Sequence, residues 1–97
     1  MPEPDGVASL YAVVRGRVQG VGFREFVIAR ASPRGLRGYV RNLPDGGSVE
    51  VVAEGRRAEL ELLLAHLRKG PHLATVDAVD AEWTPAVGDF PDFGVRF

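Results

Sequence analysis

The sequence predicts a two-layer α+β domain: an antiparallel sheet, two helices packed on one of its faces, and a short extra strand at the C-terminal end. Three observations carry this. The chain has 97 residues, 45% hydrophobic and 26% charged, which suits one domain with one core. Its apolar spacing switches twice from strand-like to helix-like and back. Glycine and proline stand at the switches.

Met1 to Val7 is rich in Pro, Gly and acid and reads as a flexible tail ahead of a single domain over residues 8–97. Leu10 to Val14, nearly all apolar, reads as a buried strand running on towards Val18. Gly20 and Gly22 break it. Phe23, Phe26, Val27 and Ala31 then mark one face of a helix, ended by Pro33 and Gly35. A strand is expected over Leu36–Asn42, and Pro44-Asp45-Gly46-Gly47 reads as a turn. Val49, Val51 and Ala53 alternate with Glu50, Val52 and Glu54, giving a hairpin partner that Gly55 should close. Leu60, Leu63, Leu64 and Leu67 mark a second helix, stopped by Gly70-Pro71. A fourth strand is expected over Leu73–Trp83, with a bulge where the alternation slips between Val76 and Val79. Pro85–Asp92 reads as a loop and Phe93–Phe97 as a short last strand. The order βαββαβ is the ferredoxin-like arrangement, and many activities use that fold.

Composition excludes several classes. Without cysteine there is no disulfide framework, no thiolate nucleophile and no thiolate metal site. A net charge of -1 argues against a nucleic-acid binder. No apolar run approaches membrane-spanning length and no secretory leader is evident. A cytoplasmic monomer, with no membrane partner, is therefore expected.

The segment Gly16 to Arg24 links the first strand to the first helix. Gly20 and Gly22 permit unusual backbone angles, so that successive N–H groups can converge on an anion. The helix adds its own unpaired N–H groups and positive dipole end, and Arg24 in its first turn can bind two oxygens. The ligand this predicts is a phosphoryl group or a carboxylate. Taken alone, such a turn also suits an ordinary strand-to-helix connection with Arg24 as a solvated charge.

The run Gly16-Arg17-Val18-Gln19-Gly20-Val21-Gly22-Phe23-Arg24 resembles the signature of the acylphosphatase family. A second motif of that family follows as Gly35-Leu36-Arg37-Gly38-Tyr39-Val40-Arg41-Asn42, then Asp45-Gly46 and Val49-Glu50-Val51, and the resemblance extends from Tyr11 to Phe97. It implies hydrolysis of the carboxyl–phosphate anhydride of small acyl phosphates, without metal or cofactor. It implies phosphate binding by Gln19, Gly20, Val21, Gly22, Phe23 and Arg24, with Arg24 and Asn42 catalytic and Asn42 positioning the attacking water. Inorganic phosphate or sulfate should occupy the same loop.

The residues agree with this on their own chemistry. A carboxamide orients water but is a poor base. The loop contains no carboxylate, the first acid after it being Glu25, and neither His66 nor His72 has a metal-ligand spacing with acids. Positioning and positive charge suffice only for a good leaving group. A carboxylate qualifies, its conjugate acid having a pKa of about 4.

Three departures from the family pattern stand out. The turn at Asp45–Ser48 is one residue longer than the common hairpin, Pro33-Arg34 shortens the first helix, and Glu25 weakens anion binding if it turns inward. Gln19 either lines the loop or braces it. His66 reads as a solvated helix residue. Two rival functions are a non-catalytic anion-binding module and an RNA-binding domain. Retention of both Arg24 and Asn42 disfavours the first; the net charge and the lack of aromatics on Val49–Glu54 disfavour the second.

Overall fold

A computed structural model describes residues 6–97. The strands are β1 (Val7–Arg17), β2 (Arg37–Asn42), β3 (Ser48–Arg56), β4 (Thr75–Thr84) and β5 (Phe93–Val95); the helices are α1 (Phe23–Ala31) and α2 (Arg57–Lys69). Residues 1–5 of the expected tail lie outside the described residues, while Val7 already pairs with Arg56 in β1.

The sheet order is β4-β1-β3-β2-β5. The first four strands pair antiparallel, as the alternation predicts. β5 instead lies parallel to β2, Gly38 opposite Phe93, so the sheet is mixed. Parallel pairing follows from topology: β4 ends at one edge of the sheet, and Pro85–Asp92 crosses to the other before β5 begins. This crossing is pinned by the buried carboxylate of Glu54, which accepts the N–H groups of Val87 and Gly88 at 2.9 Å each.

One face of the sheet makes the core. Leu10, Ala12 and Val14 of β1, Val40 of β2, and Val49, Val51 and Ala53 of β3 are sealed by Phe23, Val27 and Ala31 from α1 and by Leu60, Leu63 and Leu67 from α2. α1 stops at Ala31 because Pro33 enters a 3-10 turn over Ser32–Arg34. The expected bulge is present: Arg15 faces Ala78 but Gly16 faces Val76, leaving Asp77 unopposed. Gly55 does not close β3, contrary to expectation. It runs within the strand, where a Cβ would sit 2.6 Å from the Leu36 side chain. His66 is half-buried rather than solvated, its ring edge-on to Phe26 at 6.3 Å.

The helix-free face has its own centre. Glu50, 6% exposed, accepts the hydroxyls of Tyr11 at 2.8 Å and Tyr39 at 3.0 Å and pairs with Arg41 Nε at 2.6 Å. These bonds stitch β1, β3 and β2 together on the side opposite the core. On this part of the sheet the Arg96 guanidinium covers the Tyr39 ring at 4.2 Å, where an RNA-binding sheet needs a free aromatic platform. Burial pushes the Glu50 carboxyl up, but Arg41 and the two hydroxyls outweigh it and hold it below the usual range. Tyr11 is raised chiefly by its bond to Glu50, Tyr39 chiefly by burial and then by the same partner.

The signs give a two-sided pH profile. A depressed carboxylate stabilises the fold above the ordinary Glu pKa of about 4.3, and that contribution is lost as pH falls through the lowered value. A raised phenol stabilises below about pH 10 and is lost as pH rises through the raised value. Glu50→Gln should cost about 1–3 kcal/mol at neutral pH and flatten the acid limb of urea-unfolding stability against pH. An unchanged acid limb would show that Glu50 does not carry it.

Candidate active site

β1 and β2 deliver their C-terminal ends to the same end of the sheet. Val14 lies opposite Val49, and Val49 opposite Asn42, so the three side chains form one row on the core side of β1, β3 and β2. The row is apolar and fully buried until Asn42, which stands where the alternation Gly38, Val40 calls for another inward residue. A carboxamide thus occupies the last core-facing place of β2, half-buried.

β1 runs into the loop Val18–Gly22 and then α1. Val18 is buried and Val21 packs partly buried against the core, so the loop is anchored by its two valines. Gly20 and Gly22 have φ of +72° and +78° and no residue of the chain outside glycine has positive φ among the described residues. A Cβ at either glycine would meet nothing within 4 Å. These glycines are therefore required by conformation, not by crowding, and the space beside them is open. Alternation of left-handed glycines around Val21 turns successive N–H groups to one side.

Gly22 is also the N-cap of α1, and no side chain caps the helix there. The first helical bond runs from the Phe26 N–H to the Gly22 carbonyl at 3.0 Å. Among the described residues, the main-chain N–H groups from Gly20 to Glu25 find no acceptor in the protein. Several donors and the positive end of a helix dipole are thus collected in one place.

Gly20, Gly22, Phe23, Arg24 and Asn42 line a common hollow of about 360 Å³, together with Val18 and Glu25. That is the low end of small-molecule pockets, suiting a small ligand. Arg24 makes no hydrogen bond or ion pair among the described residues; its guanidinium lies 5.6 Å from the Phe97 ring centre. Asn42 likewise makes no side-chain hydrogen bond among them. The Phe23 ring is buried in the core against Phe26.

Gln19 does something else. Its Nε2 donates to the carbonyls of Leu43 at 2.8 Å and Ser48 at 2.9 Å, which uses both amide hydrogens. Its side chain is a brace from the loop to the β2–β3 turn, the second of the two roles the sequence left open for it. Gly16 N–H to Gly47 carbonyl at 3.1 Å ties the same two segments. The turn is itself organised by Asp45, which accepts the Gly47 N–H at 2.9 Å and the Ser48 hydroxyl at 2.7 Å. The Ser48 hydroxyl and then the Gly47 N–H hold the Asp45 carboxyl below its usual range. Gln19 is the only Gln of the sequence, and nothing local to it shows which carbonyls it reaches. Among the described residues no three His, Cys, Asp or Glu side chains come together as a metal site, and no helix is long and apolar enough to cross a membrane.

The family model described as acylphosphatase matches residues 10–95. The chain belongs to the acylphosphatase family. It is 56% identical to the acylphosphatase of Thermus thermophilus over 81% of this chain and 89% of that one. It is 48% identical to the acylphosphatase of Caldivirga maquilingensis over 88% and 90% of the two chains. Its fold is similar to the crystal structure of acylphosphatase from Bacillus subtilis, with a TM-score of 0.88 and 32% identity, covering 93% of this chain and 99% of that one. Hydrolysis of acyl phosphates, the family's activity, is accordingly the activity of this chain.

Two substitutions separate bracing from binding. Gln19→Ala removes two hydrogen bonds and should lower unfolding stability by about 1–3 kcal/mol. If instead stability holds and only phosphate affinity falls, the side chain is a ligand. Gly22→Ala forces a side chain into left-handed backbone and should cost about 1–2 kcal/mol, read in the same urea titration.

Proposed function

We propose that the hollow between the Gly20–Glu25 amides, Arg24 and Asn42 is where the acyl phosphate is hydrolysed. The single observation that carries this is one hollow lined by loop and helix-start residues, by Arg24 and by Asn42, where neither the main-chain N–H groups nor those two side chains have a hydrogen-bond partner among the described residues. Free donors at a helix start bind a phosphoryl group, and Arg24 takes two of its oxygens. Asn42 holds the water on the opposite wall by accepting a hydrogen bond at Oδ1.

In-line displacement then needs little more. The water oxygen bonds to phosphorus as the bond from phosphorus to the acyl oxygen breaks. The acyl group departs as a carboxylate and needs no proton. The proton lost by the water passes to a phosphoryl oxygen, so the products are a carboxylate and inorganic phosphate. Charge on the phosphoryl oxygens is met by donors already in place, which is the main source of acceleration in such a site. The reading assigns no step to a metal. It includes a monomer in the cytoplasm, for which the lack of cysteine is the support.

Arg24→Ala should lower kcat/KM for benzoyl phosphate by about 100-fold or more, the scale for losing one charged donor. Asn42→Ala should lower kcat by a similar factor while the inhibition constant of inorganic phosphate stays within about twofold. Wild-type turnover should persist in excess chelator. Full activity in Arg24→Ala, or loss of phosphate affinity in Asn42→Ala, overturns these assignments.

A further inference from the structure

Glu25 is the one acid on the wall of this hollow. It is exposed, and no ion pair or hydrogen bond holds its carboxylate among the described residues, not even with its neighbour Arg24. The two residues are adjacent in the first turn of α1, about 100° apart around the helix, carry opposite charges, and both line the hollow. A carboxylate beside an anion-binding loop opposes that loop's task, so its place needs an account. One is helix stability: an acid in the first turn complements the helix dipole. That account applies equally to any face of the turn and says nothing of the hollow.

The geometry of the reaction supplies a second account. On the active-site reading of the hollow the phosphoryl group sits on the loop amides, and in-line displacement sends the acyl oxygen to the side away from the attacking water. Glu25 is exposed and lines the same small hollow, so an acyl group leaving it passes within range of the Glu25 charge.

We propose that Glu25 sets a charge preference on the acyl group, favouring uncharged or cationic acyl phosphates over those whose acyl part carries a second carboxylate. The inference rests on the reading of this hollow as the active site. Interaction with phosphate is common to every substrate, so it cancels when substrates are compared. What differs is a charge several ångströms further out, within reach of Glu25 at low salt and screened beyond a Debye length of about 10 Å at 0.1 M. Every product also leaves as a carboxylate, so the same charge opposes retention of the acid.

The test uses three para-substituted substrates with the same scissile bond: benzoyl phosphate, 4-carboxybenzoyl phosphate and 4-(trimethylammoniomethyl)benzoyl phosphate. For each enzyme the kcat/KM of a charged substrate is divided by that of benzoyl phosphate. In Glu25→Gln the carboxylate ratio should rise about two- to fivefold over wild type at low salt and the cationic ratio should fall by a similar factor. Both changes should shrink in 0.5 M salt, and Glu25→Lys should extend them in the same direction. Unchanged ratios with lowered thermal stability would overturn the proposal and leave Glu25 as a dipole partner of α1. A failure of the active-site reading itself would appear separately, as full activity on all three substrates in Arg24→Ala.

Discussion

The antiparallel pairing of β1 with β3, Val14 opposite Val49, determines where the rest of the site falls. Because β3 also pairs with β2, the register carries across to Asn42 in a single row. The loop after β1 and the carboxamide at the end of β2 are therefore neighbours, although 18 or more residues of chain lie between them. Slipping this pairing by one residue would turn Asn42 and the core valines to the other face together. Catalytic geometry and core packing are the same constraint here. The Gln19 side-chain amide and the Gly16–Gly47 main-chain bond make the final adjustment, fixing loop to turn.

Much of this was legible in the sequence because each element announces itself by period. The Leu60, Leu63, Leu67 face of α2 is buried as its spacing requires, and the slip in β4 is a bulge at Asp77. Gly20 and Gly22 signalled positive φ, and both have it. What could not be read depends on contacts far apart along the chain. The parallel placement of β5 follows from how far Pro85–Asp92 reaches, and Gly55 stays in its strand because Leu36 packs where a side chain would stand. The same holds for Gln19: an isolated amide gives no hint whether it meets a ligand or two carbonyls. The tyrosines Tyr11 and Tyr39 were unremarkable in sequence, since only the register brings both to Glu50.

The two faces of the sheet divide the work between them. The inner face holds the apolar core and the hollow at its end. The outer face holds a buried carboxylate satisfied by two phenols and an arginine, plus a second, Glu54, satisfied by two main-chain N–H groups. Both carboxylates are compensated by direct donors, which is the condition under which a buried charge can be tolerated. One of these sits beside Arg41, the residue before Asn42, so the outer network stiffens the strand that carries the carboxamide without touching the hollow.

The uncapped start of α1 has a thermodynamic counterpart. In most helices a serine, threonine or aspartate side chain satisfies the first N–H groups, and removing it costs about 1 kcal/mol. Here no side chain does so, and on the proposed reading an anion seated on them does the work of a cap. Ligand affinity and fold stability are then two readings of one free energy. At a hundred times its dissociation constant, such an anion adds about 2.7 kcal/mol to the folded state. On that reading the melting temperature of this chain is a gauge of phosphate concentration, and the same free energy is read once as affinity and once as heat resistance.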